Sequence, residues 1–192
     1  MKEKPFLSYL LKFLLTFCIL YYGTKAMISI TTPGGYYLAF ADKYLDYISG
    51  LRYLLLHTSK GLLSLLGFDV YLKDSYTIRM VNGRGVQVVY SCLGYGLLSF
   101  WIAFIIANKM AFRSMLKWIM GGVLVIFLLN VFRLSLMLIS VNKHWPSLLN
   151  LDNHTWFNIV AYGTIFFMIY LFDRSQKKMN PKRLNSKTEI EE

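Results

Sequence analysis

Three residues that lie far apart in the chain, Cys92, Arg133 and His154, are of types that together can perform acyl transfer. A cysteine thiolate is a strong nucleophile, and a neighbouring imidazole or guanidinium stabilises it. A histidine takes the thiol proton and returns it to a leaving amine. An arginine donates hydrogen bonds to the oxyanion of a tetrahedral intermediate. These types predict a thiol acyltransferase or protease, provided that the fold brings them together.

The composition indicates a membrane protein. The 192 residues are 56% hydrophobic and 17% aromatic, with a formal net charge of +11. This length suits one domain, and the apolar fraction exceeds what a soluble globular protein needs. A soluble nucleic-acid-binding domain would not collect its apolar residues into stretches of membrane-spanning length. The two cysteines, Cys18 and Cys92, provide no disulfide framework, and we predict no cofactor and no metal site.

Four apolar segments are predicted to cross a membrane as helices. They cover about residues 6–30, 93–107, 115–141 and 155–172. The second is shorter than the roughly 20 residues that a bilayer core requires, unless the preceding strand or a helix tilt contributes. Residues 37–66 also read as helix, but their charged side chains make a poor lipid-exposed span, so we expect an interfacial helix or two further helices. The predicted fold is an all-α polytopic membrane protein, a helical bundle in one domain over residues 1–172.

Lysine and arginine residues orient these segments. Basic residues precede the first segment, link the second to the third and follow the fourth. The positive-inside rule puts all three basic groups in the cytoplasm. In this topology three regions face the outside: Cys92, the end of the third segment beyond Arg133, and His154. Residues 173–192 are polar and charged and are predicted to form a disordered cytoplasmic tail.

A short β-hairpin is predicted directly before Cys92, on the outer side. Residues 77–81 and 86–90 are rich in β-branched side chains, and Asn82-Gly83 lies between them. Both turn residues tolerate a positive φ, which makes the pair a good hairpin signal. The hairpin therefore leads into the second span, with Cys92 at the junction "YSCLGYG".

Arg133 is the most costly residue within the predicted spans. A guanidinium in a bilayer usually faces a cavity or a partner, and Arg133 lies about two turns, roughly 12 Å, below the outer end of its segment. Asn130 falls on the same helix face and is positioned to orient it. The alternative for Arg133 is snorkelling to the outer headgroups, and the alternative for His154 is an ordinary interfacial histidine.

Two other functions remain open from the residues alone. In a non-catalytic membrane scaffold or a transporter component, Arg133 and Asn130 would line an intramembrane polar path and Cys92 would be incidental. In a thiol protease without an acceptor, the same three residues would end the reaction in hydrolysis.

The order of the motifs resembles the exosortase/archaeosortase family of membrane transpeptidases. That family carries a Cys-x-Gly motif, then Asn-x-x-Arg, then a single histidine. This chain has Cys92-Leu93-Gly94, Asn130-Val131-Phe132-Arg133 and His154 in that order. The resemblance covers about residues 60–172, and it departs from the family at Leu93, where serine is common.

The resemblance implies a sorting enzyme on the outer face of the bacterial cytoplasmic membrane, with no nucleic-acid partner. Its substrates would be secreted proteins that end in a short recognition motif, a transmembrane helix and a basic cluster. Cys92 would form a thioester, His154 would act as acid and base, and Arg133 would stabilise the oxyanion. A lipid or glycan acceptor would then release the product. Asn130 would support the catalytic residues, and Gly94 would admit the substrate helix or simply allow close helix packing.

Overall fold

The computed structural model describes residues 4–32, 36, 38–143 and 153–179. Within these residues the chain forms six α-helices, a three-stranded sheet and a short 3-10 helix. In chain order the elements are α1 (Lys4–Thr31), α2 (Ala39–Leu45), α3 (Tyr47–Leu65), β1 (Val70–Leu72), β2 (Thr77–Met80), β3 (Gly85–Gln87), the 3-10 helix (Tyr90–Leu93), α4 (Tyr95–Ala107), α5 (Phe112–Lys143) and α6 (Asn153–Met179).

Four helical segments of the described chain are long and apolar enough to cross a membrane. They are Phe6–Thr31, Tyr90–Ala107, Phe112–Lys143 and Trp156–Lys177. The second reaches 18 residues because the 3-10 helix that carries Cys92 leads directly into α4. The predicted all-α polytopic membrane fold is therefore confirmed.

The segment predicted as an interfacial helix or as two further helices, residues 37–66, contains α2 and α3. The break between them falls at Asp46, whose carboxylate accepts a hydrogen bond of 3.0 Å from the backbone N–H of Ser49. This is an ordinary N-cap for α3. Gly67, at φ +82°, terminates α3, as a left-handed residue commonly does. Neither α2 nor α3 is among the four helical segments apolar enough to span a membrane.

The predicted hairpin is present, and it belongs to a three-stranded antiparallel sheet. Strand β2 pairs with β3 and places Ile78 opposite Val86, with Asn82 at φ +57° in the connection. Strand β1 pairs with the other side of β2. Val70, Ile78 and Val86 are buried, and this face of the sheet packs on α3 and α5. The sequence did not predict β1, because a strand of three residues is too short for a clear alternation.

One apolar core joins α3, α5 and the sheet. Leu56 of α3, Ile78 of β2 and Leu138 of α5 are at most 1% exposed. Leu93, in the 3-10 helix, and Val131, on α5, belong to the same cluster. The core therefore binds the sheet and the turn of Cys92 to a single long helix.

A second set of contacts holds the beginning and middle of α4. Tyr21 of α1 lies 5.4 Å, centroid to centroid, from Tyr95 at the start of α4. Trp101 is fully buried, and its indole N–H donates a hydrogen bond of 3.0 Å to the Trp118 carbonyl on α5. Gly122 has no side chain to obstruct that indole. Small residues allow such close approaches between membrane helices.

The C-terminal unit comprises residues 151–192 and contains α6. The tail was predicted to be disordered from residue 173. Residues 173–179 are helical instead, because α6 continues to Met179. Lys177 lies 2.7 Å from the carboxylate of Asp173, an i,i+4 ion pair that favours the helix. Residues 180–192 lie outside the described residues, and their disorder stays a prediction.

Candidate active site

Cys92 lies in the 3-10 helix that joins the sheet to α4. Its backbone N–H donates a hydrogen bond of 2.9 Å to the Val89 carbonyl, which closes the turn. Gly94 follows at φ +70°, a left-handed conformation that favours glycine, and α4 then begins at Tyr95. The cysteine is thus at the predicted junction between strand and span.

The thiol of Cys92 is half-buried against the apolar core. It combines partial access with a fixed backbone, which a nucleophile needs. The other cysteine, Cys18, is exposed on α1 and lies within the first membrane segment. Of the two thiols, only Cys92 is held in a turn between a sheet and a helix.

Asn130 fixes this turn from α5. Its side chain is 5% exposed, and its amide Nδ2 donates a hydrogen bond of 3.3 Å to the Leu93 carbonyl. A Cβ atom at Gly94 would collide with the same amide. Gly94 is therefore required by its backbone conformation and by the close approach of Asn130. The sequence predicted that Asn130 supports the catalytic residues, and the described contact is with the turn of the cysteine.

Arg133 is half-buried on α5, between the buried residues Val131 and Leu134. It follows Asn130 by three residues, which is about 4.5 Å of helix rise. Asn130 contacts Leu93, so Arg133 lies about one helical turn along α5 from a residue that bonds the turn of Cys92. The role of Arg133 as oxyanion stabiliser stays a prediction.

His154 is the second residue of α6, in the C-terminal unit. Its side chain lies outside the described part of the structure. The role of His154 as acid and base therefore stays a prediction.

A comparison with protein families decides the class of the molecule. The family model described as "Transmembrane exosortase (Exosortase_EpsH)" matches residues 4–172. The chain belongs to the exosortase family. This confirms the family predicted from the motifs and supports, in general terms, a multi-pass membrane protein with the role of a cysteine transpeptidase. No curated protein and no solved structure matches the chain.

The exosortase match begins at α1, well before the predicted resemblance at about residue 60, and it ends at Phe172. It therefore includes the first membrane helix, and Cys92, Arg133 and His154 all lie within it. Leu93, the position where the motif commonly has serine, is 3% exposed and packs in the core. In this exosortase an aliphatic side chain stands where the motif commonly has a hydroxyl, and Asn130 bonds the backbone carbonyl of the same residue.

A second asparagine holds the other end of the segment that leads to Cys92. The Asn142 amide, on α5, accepts a hydrogen bond of 2.6 Å from the Arg84 backbone N–H and donates one of 3.1 Å to the Arg84 carbonyl. A Cβ atom at Gly83 would collide with that amide. Residues 84–93 of this exosortase are thus tied to α5 at both ends. Asn142 was not predicted from the sequence, although a polar residue near the end of a long apolar helix is a signal for such a contact.

A cavity of about 290 Å³ lies between α1, α3 and α4 and reaches the turn of the cysteine at Leu93. Its lining is mostly apolar, with a hydrogen bond of 3.0 Å from the Tyr47 hydroxyl to Thr24 Oγ1 at one side. An apolar cavity of about 150 Å³ is sufficient to bind benzene, so this one has room for a large apolar side chain. In the described part of the chain, no group of three or more His, Cys, Asp or Glu side chains is arranged to hold a metal ion.

Proposed function

We propose that this exosortase-family protein is a cysteine transpeptidase that cleaves the C-terminal sorting signals of secreted proteins. The observation that carries the proposal is the hydrogen bond from Asn130 to the Leu93 carbonyl. That bond ties the turn of a half-buried thiol to the helix that bears a half-buried arginine. A scaffold or a transporter component would have no need to hold a free thiol in this way.

In the first half of the reaction, Cys92 transfers its thiol proton to His154, and its sulfur attacks the carbonyl carbon of the scissile peptide bond. The carbonyl oxygen becomes an oxyanion, which the Arg133 guanidinium stabilises by donating hydrogen bonds. The C–N bond then breaks, and His154 returns the proton to the leaving amine. The product is a thioester between the secreted protein and Cys92.

In the second half, an acceptor amine or hydroxyl attacks the thioester. His154 takes the acceptor proton, the C–S bond breaks, and the thiol of Cys92 is protonated again. A lipid or glycan acceptor in the outer leaflet is consistent with a reaction at the membrane surface. Hydrolysis is the same step with water as the acceptor.

The distribution of basic residues supports an active site on the outer side of the bacterial cytoplasmic membrane. The loop after α4 and the first turns of α5 carry Lys109, Arg113 and Lys117, and the positive-inside rule assigns this basic connection to the cytoplasm. Cys92 lies at the opposite end of α4 from that connection. A secreted protein would therefore present its sorting signal to Cys92 with its transmembrane helix still in the bilayer.

The test of the proposal is the processing of a co-expressed secreted protein that ends in a motif, an apolar helix and a basic cluster. Cys92→Ala is expected to abolish processing while the variant still inserts, and Cys18→Ala, which removes the other thiol, is expected to leave it unchanged. Undiminished processing by Cys92→Ala would exclude the thiol as nucleophile and would favour a non-catalytic role.

Mass analysis of the product separates transfer from hydrolysis. Transfer predicts an added mass at the new C-terminus of the secreted protein, because the acceptor remains attached. A free carboxylate at that terminus would contradict transfer and would make the protein a thiol protease.

A further inference from the structure

Arg52 is a cation on the buried face of α3. Ile48, Leu55, Ser59 and Leu63 are all buried, and they lie at helical spacing from Arg52 on one side of the helix. Arg52 itself is half-buried, so part of its side chain reaches the surface of the described fold. An arginine is charged at any relevant pH, and a charge on such a face needs a physical reason.

The guanidinium of Arg52 lies beside the turn of the nucleophile. Its Cζ atom is 4.4 Å from the centroid of the Tyr90 ring, in a cation–π arrangement. Tyr90 belongs to the same 3-10 helix as Cys92, two residues earlier, and its hydroxyl is 3.0 Å from Thr32 Oγ1. The ring is therefore fixed from both sides, and it holds the guanidinium next to the candidate active site.

Two nitrogens of this guanidinium, Nε and Nη2, are shielded from solvent and have no hydrogen-bond partner among the residues that the structure describes. Within the described residues no carboxylate forms an ion pair with Arg52, and the nearby Asp46 caps α3 through Ser49. Stacking on Tyr90 satisfies the charge in part, but it uses none of these N–H donors. Buried polar groups without partners are rare, because each one loses its hydrogen bonds to water.

The two nitrogens lie on the same edge of the guanidinium and direct two parallel N–H bonds the same way. This edge matches the two oxygens of a carboxylate, which it binds through a pair of charge-assisted hydrogen bonds. Because the edge is screened from water, such bonds are stronger there than on an exposed surface.

We infer that Arg52 binds a carboxylate of the peptide substrate close to the carbonyl that Cys92 attacks. The inference rests on the proposed function, and it assigns to Arg52 a specificity role distinct from the oxyanion role of Arg133. A carboxylate carried one or two residues from the scissile bond lies within about 7 Å of it along an extended chain, which suits a cation that stacks on Tyr90, two residues before the nucleophile. A lipid phosphate would satisfy the same edge, and the test below separates the two.

The test uses the full chain in the Cys18→Ala background, so that Cys92 is its only thiol. The measured quantity is the rate of Cys92 alkylation by iodoacetate divided by the rate with iodoacetamide, two reagents of nearly equal size of which only the first is charged. All rates are taken at one ionic strength, because salt screens long-range attraction. The corresponding ratio for a free thiol in solution gives the reference.

The ratio of iodoacetate to iodoacetamide rates at Cys92 is expected to exceed the same ratio for a free thiol. It is expected to fall about ten-fold or more in Arg52→Gln. Arg52→Lys, which keeps the charge and loses the planar edge, is expected to recover only part of it. Arg79→Gln is the matched control, because Arg79 is an exposed arginine of β2 that donates to the Gly83 carbonyl. It is expected to leave the ratio unchanged. An unaltered iodoacetamide rate shows that the turn is intact in each variant.

An equal ratio in Arg52→Gln and the parent, or an equal fall in Arg79→Gln, would overturn the inference. Propionate is expected to suppress the iodoacetate rate more than inorganic phosphate does. Stronger suppression by phosphate would also overturn it, in favour of a lipid headgroup. These readouts need no turnover, so they remain informative if Cys92→Ala retains processing and the proposed function fails.

Discussion

Two half-buried arginines, Arg52 and Arg133, belong to helices that contact the turn of Cys92, and their surroundings differ. Arg133 is on α5, one helical turn from the asparagine that bonds the Leu93 carbonyl. Arg52 is on α3 and stacks on Tyr90 with one edge unpaired. We propose that Arg133 stabilises a charge that develops during the reaction, and that Arg52 binds a charge that the substrate already carries.

Replacing Arg133 with lysine tests whether catalysis needs the planar pair of guanidinium N–H donors. Lysine keeps the positive charge but loses the planar pair of donors. We expect Arg133→Lys to lower the single-turnover cleavage rate by about 10²–10³-fold, the range for loss of an oxyanion donor. Substrate binding is expected to change little, because the bond forms in the transition state. A rate near that of the parent would show that charge alone is sufficient.

The sequence predicted Cys92 and Arg133 because a thiol beside glycines and an arginine in an apolar span are unusual in themselves. Arg52 was seen only as a charge that disfavours a lipid-exposed span. Its partner Tyr90 is 38 residues away in the chain, and only tertiary packing brings the ring to the guanidinium. The contact of Asn130 with Leu93 is unpredictable for the same reason, since the two are 37 residues apart.

At the scale of elements, α5 acts as a frame for the segment that carries the nucleophile. Asn142 holds the backbone of Arg84, and Asn130 holds the backbone of Leu93. Their separation of 12 residues corresponds to about 18 Å along the helix axis. Residues 84–93 therefore lie along the same helix that carries Arg133, which limits how far Cys92 can move from it.

Gly94→Ala tests the attachment of this segment to α5 at Leu93, through Asn130. An alanine at φ +70° costs about 1–2 kcal/mol, and its Cβ would also displace the Asn130 amide. We expect a lower thermal unfolding temperature in detergent and a changed iodoacetamide rate at Cys92. Gly121→Ala is the control, because a Cβ there meets no atom within 4 Å. Equal effects of the two substitutions would show that the attachment does not matter.

The hairpin was predictable because Asn82-Gly83 is a local signal, whereas β1 was not. Strand β1 has three residues, and its pairing with β2 depends on a turn in which Asp74 accepts from the Tyr76 N–H. Helix α6 also extends beyond residue 172, where its span was predicted to end. The change from apolar to charged residues marks where a span ends, but the helix continues through the Asp173–Lys177 pair.

For the whole molecule, hydropathy was sufficient to predict four spans, since a bilayer imposes a length and a polarity on each helix. It was insufficient for α2 and α3, whose charged residues fit an interface as well as a buried helix pair. The side of the membrane on which Cys92 lies follows from the basic residues alone, and so it is a prediction to be measured.

A membrane-impermeant thiol reagent, used in the Cys18→Ala background, measures on which side of the membrane Cys92 lies. We expect Cys92 to be labelled in intact cells, because the positive-inside rule assigns its turn to the outer side. A cysteine introduced at Asn150 is expected to be labelled as well and controls for slow labelling of a half-buried thiol. Labelling of Cys92 only after permeabilisation, while the control is labelled before it, would contradict the topology.

The most direct test of the proposed thioester mechanism is to isolate the covalent intermediate. The protein is incubated with its co-expressed substrate, quenched in acid and digested, and the peptide that contains Cys92 is examined by mass spectrometry. The thioester mechanism predicts that the substrate fragment is attached to Cys92 through a bond that neutral hydroxylamine cleaves, and that Cys92→Ala carries no adduct. An adduct on another residue, or full processing without any adduct on Cys92, would contradict it.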